Sequence, residues 1–189
     1  MPPRGHAVQF YNTDDQLLRL LTRYVGTALV GGDVAVVVAT RSHLWALEQR
    51  LASRGLDVVV ARRERRFVTA DAHAMLDELL TDGRVDEEKA EAVIGALLRP
   101  HHNLYGDGEL LHVFVFGELV TLLSAQCGAE EAVRLEEIWN DLAGAHEFTL
   151  CCGYPMSVFT HRDAAPFVRI CGLHSNVFHA LPIPVDDFT

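Results

Sequence analysis

No glycine-rich phosphate loop opens this chain. A phosphate cradle needs glycines so that backbone N–H groups can reach the anion, then a lysine and a serine or threonine for phosphate and magnesium. The first strand-to-helix corner reads Tyr11, Asn12, Thr13, Asp14, Asp15 instead. Two carboxylates there favour the helix dipole and repel an entering phosphate, so an active NTPase is not expected. Positive charge is also short: 16 Lys and Arg against 26 Asp and Glu leave a net charge of -10. That excludes nucleic acid as the expected main partner, because phosphate contacts need a basic face. The one basic run, Arg62-Arg63-Glu64-Arg65-Arg66, lies between two expected strands and reads as a solvated turn or a contact for an acidic partner. No apolar stretch reaches bilayer-spanning length, and the opening Met1, Pro2, Pro3, Arg4 carries no secretion segment. A cytoplasmic chain without membrane contact is therefore expected. Cysteine is scarce, with Cys127, Cys151, Cys152 and Cys171 showing no C-x-x-C spacing. Reduced thiols are the default in that compartment, and adjacent Cys151 and Cys152 point to opposite faces of a strand.

What is present is alternation of strands and helices over 189 residues, enough for one domain with a real core. A short strand from His6 leads into a helix over 14–30, whose stripe Leu17, Leu18, Leu21, Tyr24, Val25, Ala28, Leu29 ends at Gly31-Gly32. The unbroken apolar run within 33–40 predicts a strand covered on both faces, as in parallel sheets. Thr40 or Ser42 caps a second helix, stopped by Gly55, and 56–60 reads as a β-branched strand. Further strands are expected at 67–70, 110–116 and 148–152, with helices over 71–80, 86–98, 118–126 and 129–145, and a last one capped by Asp163. The stretch 100–108 reads as a mobile surface loop, and 181–189 as an extended tail. The pattern predicts a single three-layer α/β/α domain around a mostly parallel sheet.

In such sheets ligands bind beyond the carboxyl ends of the strands. That rule selects Tyr11, Phe116, Glu118, Cys152 and Tyr154, with Trp139, Asn140 and His174 near enough in the pattern to line the same cleft. Glu118 follows an apolar strand and a glycine; it is either a buried functional carboxylate or a helix N-cap. His6, at the start of its strand, reads as an anchor working through both ring nitrogens. Cys171 and His174 lie one helical turn apart and could share a metal with Cys152 or His6, although C-x-x-H alone is thin evidence and no metal site is assigned. Cys152 as a nucleophile competes with Cys152 as plain strand core. Trp139 and Tyr154 are core aromatics by default, and flat rings with one polar handle also suit small organic ligands.

Six segments together resemble one family over nearly the whole chain: His6-Ala7-Val8-Gln9-Phe10-Tyr11, the helix end at Gly31-Gly32-Asp33, 116–120, 135–140 including Trp139-Asn140, Cys151-Cys152-Gly153-Tyr154-Pro155, and 171–175. They resemble the MEDS domain, the methanogen and methylotroph sensory domain. The resemblance implies a RecA-like or KaiC-like α/β fold without its nucleotide loop, sensing simple hydrocarbon derivatives in prokaryotic signalling. Relatives of that kind are joined to DNA-binding or histidine-kinase modules, and this sequence shows neither. The expectation is thus a non-enzymatic sensor, without cofactor, that passes its signal in trans to a kinase or transcription regulator. A homodimer, a ligand-free adaptor derived from an ATPase fold, and a Cys/His metal or thiol protein are the alternatives.

Overall fold

The computed structural model describes residues 5–99, 105–106, 109–145, 147–159 and 165–179. The first strand, β1 (His6–Tyr11), turns through Thr13, whose hydroxyl accepts from Gln16 N–H, into α1 (Asp14–Val30). The strand β2 (Val34–Ala39) is buried at every position, and Thr40 caps the helix α2 (Arg41–Ser53) after it. The short helix α3 (Val58–Arg63) precedes β3 (Phe67–Asp71), and Asp71 caps α4 (Ala72–Leu79). A two-residue pair, β4 (Leu80–Thr81) and β5 (Arg84–Val85), leads into α5 (Glu87–Leu98). A second small pair joins β6 (Tyr105–Gly106), within the expected surface loop, to β7 (Glu109–Leu110) just after it; the loop's other residues lie outside the described ones. Then follow β8 (Val113–Gly117), α6 (Leu119–Cys127), α7 (Ala129–Ala145), β9 (Phe148–Pro155), a 3-10 turn over Met156–Val158, α8 (Ala165–Gly172) and β10 (Asn176–His179). The expected cap Asp163 and the expected tail also lie outside the described residues.

Six strands form one sheet in the order β10-β1-β9-β8-β2-β3, every pairing parallel. Alternation of side chains along each strand divides the core in two. Ala35, Val37, Ala39, Phe114, Phe116 and Tyr11 meet α1, α2 and α3 on one face. Val8, Phe10, Val36, Val115, Leu150, Cys152 and Tyr154 meet α4 to α8 on the other. This is the three-layer α/β/α arrangement expected from the alternation. Gly153 is required where it stands, since a Cβ there would lie 2.8 Å from Phe116 Cζ.

One expected strand is a helix. Val58, Val59 and Val60 begin α3, where the Asp57 carboxylate accepts from Val60 N–H and Val59 is 62 % exposed. Both neighbours of β2 in the sheet are already taken by β3 and β8, and a good cap outweighs β-branched propensity. The basic run consequently straddles the end of α3 and its turn, with Arg65 in the left-handed region at φ 59. Two of its four arginines are paired locally, Arg62 with Glu48 and Arg66 with Glu64.

Candidate functional site

The structure separates the residues expected in one cleft into two polar clusters on opposite faces of the sheet. The first sits at the carboxyl ends of β1, β2 and β8. Glu118 occupies the N-cap position of α6 but makes no capping bond; its side chain turns inward and is 2 % exposed. Thr40 N–H donates to Glu118 Oε2 at 3.0 Å, and His43 Nδ1–H donates to both carboxylate oxygens at 2.8 and 2.9 Å. The Tyr11 phenol bonds the same carboxylate, and burial first, then the charges of Glu118 and Asp14, push its pKa up. His43 Nε2 lies 3.7 Å from Asp14 Oδ1, so the chain of groups reaches from an exposed carboxylate to a buried one. Beside it an open groove of about 490 Å³ is lined by Thr40, Arg41, Ser42, Asp71, His73, Ala74 and Asp77.

The His43 pKa is raised from 6.5, chiefly by its bond to Glu118 and against the opposing effect of burial. A folded-state pKa above the unfolded one means that the protonated ring stabilises the fold fully below about 6.5. That contribution is lost as pH rises through the raised value. In urea denaturation from pH 5.5 upward, wild type should therefore lose stability relative to His43→Asn as pH rises. A difference between the two that does not vary with pH would remove the ion pair from the account.

The second cluster lies on the other face, below α7 and α8. His6 starts β1, Cys152 and Tyr154 follow one another on the inward face of β9, Glu136 projects from α7, and His174 follows α8. His6 Nε2 is 3.1 Å from Glu136 Oε2 and 3.2 Å from Cys152 Sγ. Cys152 Sγ–H reaches Glu136 Oε2 at 3.4 Å, the Tyr154 hydroxyl donates to Oε1 at 2.9 Å, and His174 Nε2 stands 3.5 Å from Oε1. The two imidazoles are tilted against each other with centroids 4.0 Å apart. Glu136 is fully buried; burial would raise its pKa, but the facing His174 and His6 outweigh it and hold it down at about 2.

Of the expected residues, Tyr11, Phe116 and Glu118 belong to the first face, and His6, Cys152, Tyr154 and His174 to the second. His6 does anchor through both ring nitrogens, the second through Nδ1 to Asn140 Oδ1 at 3.0 Å. Trp139 supplies none of the four clustered ligand atoms; it is fully buried one helical turn from Glu136, edge-on to Phe148 at the amino end of β9. Cys171 contributes nothing to the second cluster, and Glu136 stands where that residue was considered. A nucleophilic Cys152 needs a lowered pKa and access, yet burial and then Glu136 push this thiol well above its usual value. Neither His43 nor Glu136 was singled out from sequence. Glu136 did leave a signal, since it falls on the buried stripe of α7 with Ala132, Val133, Ile138, Trp139 and Leu142. No helix among the described residues is long and apolar enough to cross a membrane.

No curated protein matches the chain significantly. The model of one family, described as MEDS, the methanogen/methylotroph, DcmR sensory domain, matches residues 5–170. That span holds both clusters except His174, four residues beyond its end. With most of its length matched by that sensory-domain model, and with the three-layer parallel architecture in place, the chain belongs to the MEDS family.

Proposed function

We propose that this sensory domain takes a small hydrocarbon derivative with one polar end at the carboxyl edge of its sheet and passes the signal in trans to a partner protein. A histidine kinase or a transcription regulator is the partner class in view. The observation that carries this reading is the inward-turned Glu118. It is buried where a capping residue would be solvated, with Thr40, His43 and Tyr11 around it and an open groove beside it. Carboxyl edges of parallel sheets are where such folds bind ligands. Asp14 and Asp15 in the first turn of α1 favour an uncharged or cationic polar end over a phosphate, which is the sense in which a RecA-like or KaiC-like ancestry without nucleotide chemistry fits. Glu118 touches the starts of both α2 and α6, so a ligand that competes for its carboxylate biases two helices at once, provided its affinity differs between their two arrangements.

Thermal-shift screening with short alcohols, aldehydes, halocarbons and acids tests the reading. A ligand at 100 times its Kd adds about 2.7 kcal/mol, which for a chain of this size raises Tm by roughly 5–10 °C. Glu118→Gln, if folded by circular dichroism, should lose most of that shift. A screen in which no compound class moves Tm sinks the proposal. It would favour instead a ligand-free adaptor, the reading suggested by the sheet-edge strand β10 with Phe178 51 % exposed.

A further inference from the structure

We infer that His6, Cys152, Glu136 and His174 form a four-ligand site for a divalent, borderline-soft metal ion, zinc before others. The four ligand atoms come from β1, β9, α7 and the turn after α8, all are buried, and all lie within 4.8 Å of one another. Around one tetrahedral ion with bonds of ~2.0–2.3 Å, ligand atoms sit about 3.3–3.8 Å apart. Contacts of 3.4 and 3.5 Å fall within that spacing and those of 3.1 and 3.2 Å lie just short of it.

The orientation of the rings is the stronger ground. His174 Nδ1 lies 2.6 Å from the Ile170 carbonyl, which can only accept, so that nitrogen carries the proton. Asn140 Nδ2 donates to the Leu173 carbonyl at 3.0 Å, which leaves Asn140 Oδ1 to face His6 Nδ1 and assigns the proton there as well. With Nδ1 protonated, each ring either aims a bare Nε2 lone pair at Glu136 and Cys152 or carries a second proton there as the positive charge. Among the described residues His174 Nε2 is buried without a hydrogen bond of good geometry, Glu136 Oε1 standing off at 3.5 Å. Electron pairs do not converge in a dry interior without a positive centre. Metal-binding histidines characteristically donate their other N–H to a carbonyl, and the carboxylate is likewise held from behind, here by the Tyr154 hydroxyl. Two imidazoles, a thiolate and a carboxylate make a donor set suited to zinc or cobalt(II) and poor for magnesium or calcium. With four protein ligands and no open position, the ion would tie four elements together rather than present a reactive water. On binding, the Cys152 proton leaves to solvent.

The site is across the sheet from Glu118, so its test stands apart from the ligand screen. Full-length protein purified without a metal-affinity tag is stripped with chelator and titrated with zinc chloride or cobalt(II) chloride. One equivalent bound, with a thiolate-to-cobalt charge-transfer band in the near ultraviolet, is the expected result. Cys152→Ser should abolish that band while Cys127→Ser and Cys171→Ser keep it. Asn140→Ala, which removes only the support behind His6, should weaken binding by ~10–100-fold. Stripped wild type that remains folded and takes up no stoichiometric metal overturns the assignment, leaving protons on the rings as the positive charge. So does one equivalent bound with the band intact in folded Cys152→Ser or His174→Ala. Should those variants not fold, wild-type stoichiometry and the cobalt spectrum alone decide.

Discussion

Glu136→Gln should cost about 3–5 kcal/mol of stability, the usual penalty for breaking a buried ion pair from one side. For a chain of this length that lowers Tm by roughly 6–20 °C. The carboxylate accepts from Tyr154 and Cys152 and balances whatever positive charge lies between His6 and His174. Glutamine keeps the shape and removes the charge, so no cavity confuses the result. The sign is informative. If the two rings were neutral with nothing between them, the new amide N–H₂ could donate to a bare Nε2 and the change would be neutral or stabilising. Urea denaturation at neutral pH distinguishes the two, and a loss below about 1 kcal/mol would mean that no cation, proton or metal, is held there.

Trp139→Ala should cost a similar amount, about 3–5 kcal/mol, for a different reason. The indole is fully buried against Phe148, and truncation leaves a cavity beneath α7. Because Trp139 supplies no atom to the four-residue cluster or to the contacts of Glu118, the variant should keep both the metal stoichiometry and the ligand response of wild type wherever it remains folded. Trp139→Phe should recover part of the loss. Chemical denaturation measures the stability term. A variant of nearly wild-type stability that no longer responds to ligand would return Trp139 to the pocket wall.

Trp139 also shows how far a sequence speaks for its fold. Its place on an apolar helical stripe was legible, because period and burial go together. Its packing against Phe148 was not, because that depends on which end of β9 the helix crosses. The continuous valines of β2 and the apolar run of β8 were legible as strands buried on both faces. The same chemistry misled at Val58 to Val60, where both sides of β2 are taken and Asp57 caps a helix. Glu118 was visible as an oddity after a glycine, but its partner His43 is 75 residues away and nothing local joins them. His6 and Cys152 were both noticed without being brought together, 146 residues apart, since only the β1–β9 register does that. Glu136 was hidden among the acidic neighbours Glu130, Glu131 and Glu137, and only its phase on α7 marks it as buried.

The position of β1 has a kinetic side. Its only partners in the sheet are β9 and β10, whose residues lie about as far along the chain as the described part extends. Strands β2, β3 and β8 can pair among themselves as soon as residues 34–117 are available. The first strand of the sheet in chain order is thus among the last to dock, and its apolar residues wait unpaired while β9, β8, β2 and β3 assemble. Such long-range closure is the slow step of a parallel topology and the one most open to aggregation. His6 travels with β1, so the four-residue cluster closes only at that final docking, and a chain stalled before it would show β9, β8, β2 and β3 paired, β1 and β10 unplaced, and no place for an ion.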